Sequence, residues 1–408
     1  MIVFENASLL DGSLDHALPN MSVLIEGDII REVSDRGIAT AATRIDLGGR
    51  TLMPGLIDCH VHVVAALANL GANAMLPDAV VTLHATKLMR EMLFRGFTTV
   101  RDLGGATYAL KMAWDAGLFE GPRLSISGKA LSQTGGHCDF RGRHDTRSAE
   151  FFAGRLGSLG RLVDGVAEVR RACREEMKAG ADYIKIMANG GVASPTDPIA
   201  FMGFSNEELL AAVEEARGAQ TYVSAHLYTD EAIARAVRCG VRSLEHCNLI
   251  TEATARKAAA AGAIACPTLV TYEALKNEGA SLGLPESSVA KIDDVRLAGL
   301  ASLEKMRSAG LMMVYGTDLL GPMHRHQSEE FVIRGRVQPA IEVIRGATLN
   351  AAVMLRQEGR IGCIAPGAFA DLIVVDGDPL ADLSLLTHQG AQLPAILQGG
   401  RFVKNELG

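Results

Sequence analysis

The residues richest in chemistry are Asp58-Cys59-His60-Val61-His62, which close an apolar run. Side chains alternate faces along a strand, so His60 and His62 point one way, Cys59 and Val61 the other. Two imidazoles on one face can chelate a single ion; the plain alternative is two histidines at a strand end by chance. His226, His246 and Asp318, the last within Tyr315-Gly316-Thr317-Asp318, also end apolar runs. Polar groups buried without partners cost on the order of several kcal/mol each, so such a set points to a shared ligand. Lys185 lies inside Tyr183-Ile184-Lys185-Ile186-Met187, where a free ammonium would be buried at high cost. Two dications beside it would also repel it. Carbamylation by CO₂ resolves both conflicts, giving an anion with one oxygen for each metal; the alternative is a lysine snorkelling at a strand end. Imidazoles with hard oxygens suit two zinc ions, with manganese or cobalt less common. His16, His84 and His388 read as surface histidines, His324 and His326 as solvated loop histidines. Cys59 and Cys247 adjoin these groups but face away, and read as core thiols.

Such groups need strands whose carboxyl ends converge. Eight candidate runs alternate with Ala/Leu/Glu/Arg-rich helical stretches: Gly55–His62, Phe97–Asp102, Arg123–Ser127, Asp182–Met187, Tyr222–Tyr228, Ser243–His246, Ala263–Thr268 and Met312–Asp318. Strand–helix alternation implies an α/β protein with parallel strands, and eight units is the number of the (β/α)₈, or TIM, barrel. Residues 55–360 are assigned to it. The chain ends differ: 1–54 and 361–408 hold short strands between Gly, Asp and Pro turns, and neither is apolar enough to fold alone. They are expected to pair into one small β-sandwich. The Gly- and Arg-rich stretch at about 132–165 is long enough to suggest a lid.

Composition excludes several classes. With 408 residues and a formal net charge of -7, the chain has no basic footprint for nucleic acid. No apolar run approaches the length of a membrane span, and Met1-Ile2-Val3-Phe4-Glu5-Asn6 lacks the pattern of a signal peptide. Seven cysteines without CxxC spacing argue for a reducing compartment. A cytoplasmic protein acting on a small molecule is expected, and a homo-oligomer.

The ordered set His60-x-His62, Lys185, His226, His246 and Asp318, on strands one, four, five, six and eight, resembles the binuclear metal-dependent amidohydrolase superfamily. Met53-Pro54-Gly55-Leu56-Ile57-Asp58 looks like its entry into the barrel, and Pro366-Gly367-Ala368-Phe369-Ala370-Asp371-Leu372 like its C-terminal sandwich strand. Thr134-Gly135-Gly136-His137, Asn189-Gly190-Gly191-Val192, Glu245-His246-Cys247-Asn248 and Gly316-Thr317-Asp318 are similar to the imidazolonepropionase-like branch, close to its prolidases (Xaa-Pro dipeptidases). The likeness fails between Cys138 and Arg161. It implies that His60, His62 and Asp318 hold the more buried ion and His226 and His246 the more exposed one. Carboxylated Lys185 and a hydroxide would bridge them, and Asp318 would shuttle the proton. The centre would then be net positive and welcome a carboxylate. Tyr228, two residues beyond His226 on the same face, would bind it, and His137 would donate to the oxyanion; the plainer alternatives are a core tyrosine and a solvated loop histidine. The Cys138–Arg161 stretch, with Phe140, Phe151 and Phe152, would select an apolar side chain. The implied activity is hydrolysis of the amide bond to a C-terminal amino acid, in dipeptides (Xaa-Pro, Xaa-apolar) or N-acyl amino acids. The alternative is a detoxifying amidase, lactonase or organophosphate hydrolase, ochratoxin-type aryl amides included.

Overall fold

Burial on both faces turns the apolar runs into strands, as parallel sheets require. In this computed structural model, which describes residues 1–407, Leu56–Val61 (β1) is buried at every position. Phe97–Asp102 (β2), Arg123–Ile126 (β3), Ile184–Met187 (β4), Val223–Thr229 (β5), Ser243–Leu249 (β6), Ile264–Cys266 (β7) and Met312–Met313 (β8) follow. β1 to β3 form one parallel sheet and β4 to β8 lie in another. Backbone hydrogen bonds sew the two into a barrel: Asp182 N–H donates to Ile126 O at 2.7 Å on one side, and Cys59 N–H to Tyr315 O at 2.8 Å on the other. This is the expected (β/α)₈ barrel, with one strand in each of the eight runs. The last run is less regular than expected. Only Met312–Met313 pairs with β7, because the chain then swings towards β1, where Asp318 N–H donates to His60 O at 2.7 Å.

The helices follow local signals. Ser205 opens Asn206–Gly218 with a capping box, its hydroxyl accepting from Glu208 N–H while the Glu208 carboxylate accepts from Ser205 N–H. Val166–Lys178 buries Val169, Ala172 and Cys173 and turns most of its charges outward, Glu176 being buried with them. No helix among the described residues is long and apolar enough to cross a membrane.

The β-sandwich draws on both chain ends. Ile2–Leu9, Leu18–Glu26, Ile29–Ser34, Thr43–Asp46 and Thr51–Pro54 join Leu372–Val375, Ala395–Gln398 and Arg401–Asn405 in one eight-stranded sheet. Its seam is the antiparallel pair in which Leu52 faces Val374. Phe4, Val23, Leu52, Leu372, Val374 and Leu397 are wholly buried in its core, each contributing roughly 1.5–3 kcal/mol of apolar burial. Thr51–Pro54 leads through Gly55 straight into β1, so the sandwich anchors the strand that carries His60.

The stretch 132–165 is not a bare loop. Gly160–Leu162 pairs in parallel with Ala130–Ser132, which reaches β4 where Leu131 faces Ile186. A short helix, Ala149–Ala153, lies between them. Lys129 Nζ donates to Arg155 O at 2.7 Å and Ser158 O at 2.5 Å, and Asn73 Nδ2 to Gly157 O at 2.7 Å. The base of this excursion is therefore fastened to the barrel.

Candidate active site

The carboxyl ends of the strands bring the candidate residues together. His60 and His62 approach Asp318 from one side, with His60 Nε2 3.3 Å and His62 Nε2 3.2 Å from its Oδ1. One donor atom from each of the three falls within 4.8 Å of the others, a spacing that suits one cation. The His246 ring lies 4.9 Å from that of His60 and 4.6 Å from that of His226, centroid to centroid. The other ring nitrogens are already occupied. His62 Nδ1 lies 3.1 Å from Gly104 O, His226 Nε2 3.2 Å from Gly190 O, and His246 Nδ1 2.8 Å from Thr268 Oγ1. Each histidine thus keeps one nitrogen free for an ion, its ring direction set by the bond behind it.

Local backbone geometry aims these groups. His246, Cys247 and Asp318 have φ of 68°, 58° and 54°, in the left-handed region that costs a non-glycine residue on the order of 1–3 kcal/mol. Strict alternation would send Glu245 and His246 to opposite faces; the positive φ interrupts it, and both reach His60. Gly316 is glycine because there is no room for more: a Cβ there would lie 2.4 Å from Cys266 Sγ and 2.9 Å from His60 Cβ. Asp58 braces the same corner, accepting from His60 N–H at 3.0 Å, Thr317 Oγ1 at 2.7 Å and Gln327 Nε2 at 3.0 Å.

The electrostatics divide the site. Burial, then the neighbouring His137, holds His226 well below the usual imidazole range, and burial does the same for His246. Both are neutral, with lone pairs to offer. Burial opposes ionisation of Asp318, yet His60 and His62 outweigh it and hold the carboxyl well below its ordinary value. Lys185 is 1% exposed, its Nζ has no hydrogen-bond partner, and burial lowers its pKa. A neutral amine is the form that attacks CO₂. This orphaned nitrogen fits a carboxylated lysine and a divalent centre better than it fits a bare ammonium.

Sequence reasoning missed the layer beneath. Glu245 Oε2 lies 2.8 Å from His60 Nδ1, while its Oε1 accepts from Arg101 at 2.9 Å, Ser224 at 2.7 Å and Ser243 at 2.5 Å. Arg101 also donates to Cys59 O at 2.7 Å. Although burial opposes it, Arg101 holds Glu245 far below the usual carboxylate range. Cys266 Sγ lies within 4.8 Å of the donor atoms of His60 and Glu245, but it donates to Tyr315 O at 3.9 Å and Glu245 is already neutralised by Arg101, so His60 and Glu245 read as a hydrogen-bonded support rather than a metal site. Glu245 is flanked in sequence by His246, which was the available signal; Arg101 offered none. Cys59 and Cys247 are buried, and burial pushes the Cys59 thiol up to about 12.

Above the candidate ligands lies a pocket with His62, His137, Tyr228 and Asp318 in its wall. Leu70, Phe140, Leu159, Met187, Val192, Leu275 and Leu320 make the remaining lining mostly apolar, and it contains no Lys or Arg. The Tyr228 ring lies 4.7 Å from that of His226, and its hydroxyl accepts from Tyr272 at 3.0 Å. His137 stacks on His226 at 4.1 Å, with Nδ1 2.7 Å from Ser194 Oγ. Two expectations need correction. Phe140 lines the cavity, but Phe151 and Phe152 pack on each other and under Arg147 outside it. His324 is not solvated: the turn Gly321–His326 tucks it in, 3% exposed, and burial with nearby Arg95 lowers it to about 3. His326 bridges Glu278 and Glu329, each at 2.7 Å. His16, His84 and His388 are exposed.

The sequence pattern of the Amidohydrolase family matches residues 51–401. A crystal structure of an amidohydrolase is 54% identical to this chain, with a TM-score of 0.98 and both chains covered in full. A prolidase crystallised with N-methylphosphonate-L-proline is 50% identical, with a TM-score of 0.97 over 99% of each chain. The ochratoxinase of Aspergillus niger is 31% identical over 379 residues, 86% of this chain and 75% of that protein. Sequence pattern, fold and the histidines and aspartate at the barrel mouth agree, and the chain belongs to the amidohydrolase family, among neighbours that include prolidases.

Proposed function

We propose that this amidohydrolase cleaves the amide bond to a C-terminal proline or other apolar residue, in dipeptides or N-acyl amino acids. The observation that carries this reading is the pocket, mostly apolar and without Lys or Arg, with Tyr228 in its wall beside the candidate ligands. The prolidase at 50% identity, complexed with a phosphonate of proline, supports it. His60, His62 and Asp318 would hold one divalent ion, His226 and His246 a second, with carboxylated Lys185 between them; zinc suits the donors. When bound, two such ions supply acidified water and polarise the scissile carbonyl. The chain's own residues do the rest. Asp318 takes the proton of the attacking water and delivers it to the leaving amine nitrogen. His137 donates to the oxyanion, and Tyr228 donates to the substrate carboxylate.

A second reading follows from the ochratoxinase similarity. The same chamber would accept a flat aryl acyl group, making the enzyme a detoxifying amidase. Steady-state kinetics of the zinc-loaded enzyme on matched Xaa-Pro, Xaa-Phe and Xaa-Arg dipeptides, N-acyl amino acids and an aryl amide of phenylalanine separate the two. Xaa-Pro or Xaa-Phe should lead. Preference for Xaa-Arg would overturn the apolar-chamber reading, and activity on the aryl amide alone would favour the second.

A further inference from the structure

The loop after β4 carries contacts that the proposed reaction leaves unexplained. Ser194 is fully buried, and its hydroxyl meets His137 Nδ1. Asp197, 2% exposed, accepts from Gly191 N–H at 3.0 Å and lies 3.5 Å from the same Nδ1. The His137 ring lies against Gly191 so closely that a Cβ there would fall 1.8 Å from its Cε1. No regular helix or strand spans residues 190–200. Asn189 Nδ2, donating to Ile199 O at 2.9 Å and Phe201 O at 2.7 Å, fastens the end of this loop; something else must hold residues 191–197.

That something comes from the far side of the mouth. Lys291 sits between the short helices Glu286–Val289 and Ile292–Arg296, in the excursion after β7. Its Nζ donates to Gly191 O at 2.5 Å, Ser194 O at 2.7 Å and Asp197 O at 3.1 Å. An ammonium has three N–H groups and no acceptor, so three carbonyls around one nitrogen satisfy it fully. Bonds from a charged donor are about twice as strong as neutral ones. The planar fork of an arginine does not match this arrangement. The excursion also supplies Tyr272 and Leu275 to the cavity wall, so one side chain ties two walls together.

We propose that Lys291 is a positioning residue: by clamping residues 191–197 it holds Ser194 and Asp197 against His137 Nδ1 and leaves Nε2 to face the substrate. The inference rests on the role given to His137 above. With Nδ1 accepting from the Ser194 hydroxyl, the ring proton lies on Nε2, the nitrogen left to donate to the developing oxyanion. A loose loop would let the ring rotate and spend time with neither nitrogen in place.

The test is a double-mutant cycle on the zinc-loaded full chain, with Lys291→Met, His137→Ala and the pair. His137→Ala should lower kcat by about a hundredfold. Lys291→Met should lower kcat by about tenfold, with KM within about threefold and zinc content unchanged. Combined, they should be no worse than His137→Ala alone. Ring ¹⁵N NMR should show the Nε2–H tautomer for His137 in the parent protein and a mixture in Lys291→Met; the Nδ1–H tautomer in the parent would overturn the donor role. Where Lys291→Met does not fold, Ser194→Ala takes its place in the cycle. Full additivity, or a KM effect without a kcat effect, overturns the clamp while leaving His137 its role. Near-normal turnover of His137→Ala overturns that role, and the clamp with it.

Discussion

Glu245 stands directly behind His60, its Oε2 2.8 Å from the imidazole Nδ1, and shares its charge with Arg101, itself wholly buried. A carboxylate behind a candidate ligand fixes the tautomer and raises the basicity of the nitrogen that faces the ion. Glu245→Gln should therefore weaken metal binding by about ten- to a hundredfold. It also leaves Arg101 as an uncompensated buried charge, at about 3–5 kcal/mol. Metal titration and thermal unfolding of the variant check both. Parent-like values in both would show that His60 is held by other means.

Lys185→Ala should abolish turnover and reduce bound metal, because the proposed carboxylated bridge is then gone. Short carboxylic acids such as formate or acetate should partly restore activity by entering the space left. Intact-mass measurement under CO₂ should show one carboxyl adduct on the parent chain and none on the variant. Wild-type turnover in Lys185→Ala would remove the bridge from the scheme.

Asp318→Asn keeps an oxygen facing His60 and His62 but no longer accepts a proton. Turnover should fall by at least about a hundredfold, the lower range for losing a general acid–base group, while most of the metal stays. Metal analysis beside steady-state kinetics separates the two effects.

Tyr228→Phe removes a hydroxyl that would donate to the substrate carboxylate, a bond worth about 1.5–3 kcal/mol. kcat/KM should drop roughly ten- to a hundredfold on free acids and little on neutral amides or esters. Tyr272→Phe, which deletes the donor to Tyr228, should give a smaller loss of the same kind. Equal losses on acids and neutral substrates would count against carboxylate recognition.

Much of the barrel was legible because its signals are periodic. Alternation within a strand puts His60 and His62 on one face, and the strand–helix rhythm places Lys185, His226, His246 and Asp318 at the mouth. What escaped lies where periodicity stops. The left-handed backbone at His246 and Cys247 brings Glu245 into play with His60, and no pattern of residue types announces it. Arg101 alternates within Phe97–Asp102 like any strand residue, and only the fold shows that it points at Glu245. Lys291 and Tyr272 belong to the excursion after β7, whose return across the mouth is a tertiary event. His324 reads as a solvated loop histidine because it follows the last strand, and only the short helical turn Gly321–His326 shows that it faces inward. Phe151 and Phe152 were misassigned for the opposite reason: aromatic type suggested a pocket, but Arg147 and each other are their partners.

The seam between Leu52 and Val374 has a consequence for how the chain is made. On a ribosome, the strand Thr51–Pro54 emerges roughly three hundred residues before Leu372–Val375, its antiparallel neighbour, an interval on the order of tens of seconds at common rates of synthesis. During that interval the nascent sheet presents an open strand edge, the kind of template that invites pairing with other chains. Contacts of such long range also slow the search for the native state. Closure of this sheet therefore waits until Leu372–Val375 has been made, and that wait is the step most exposed to aggregation.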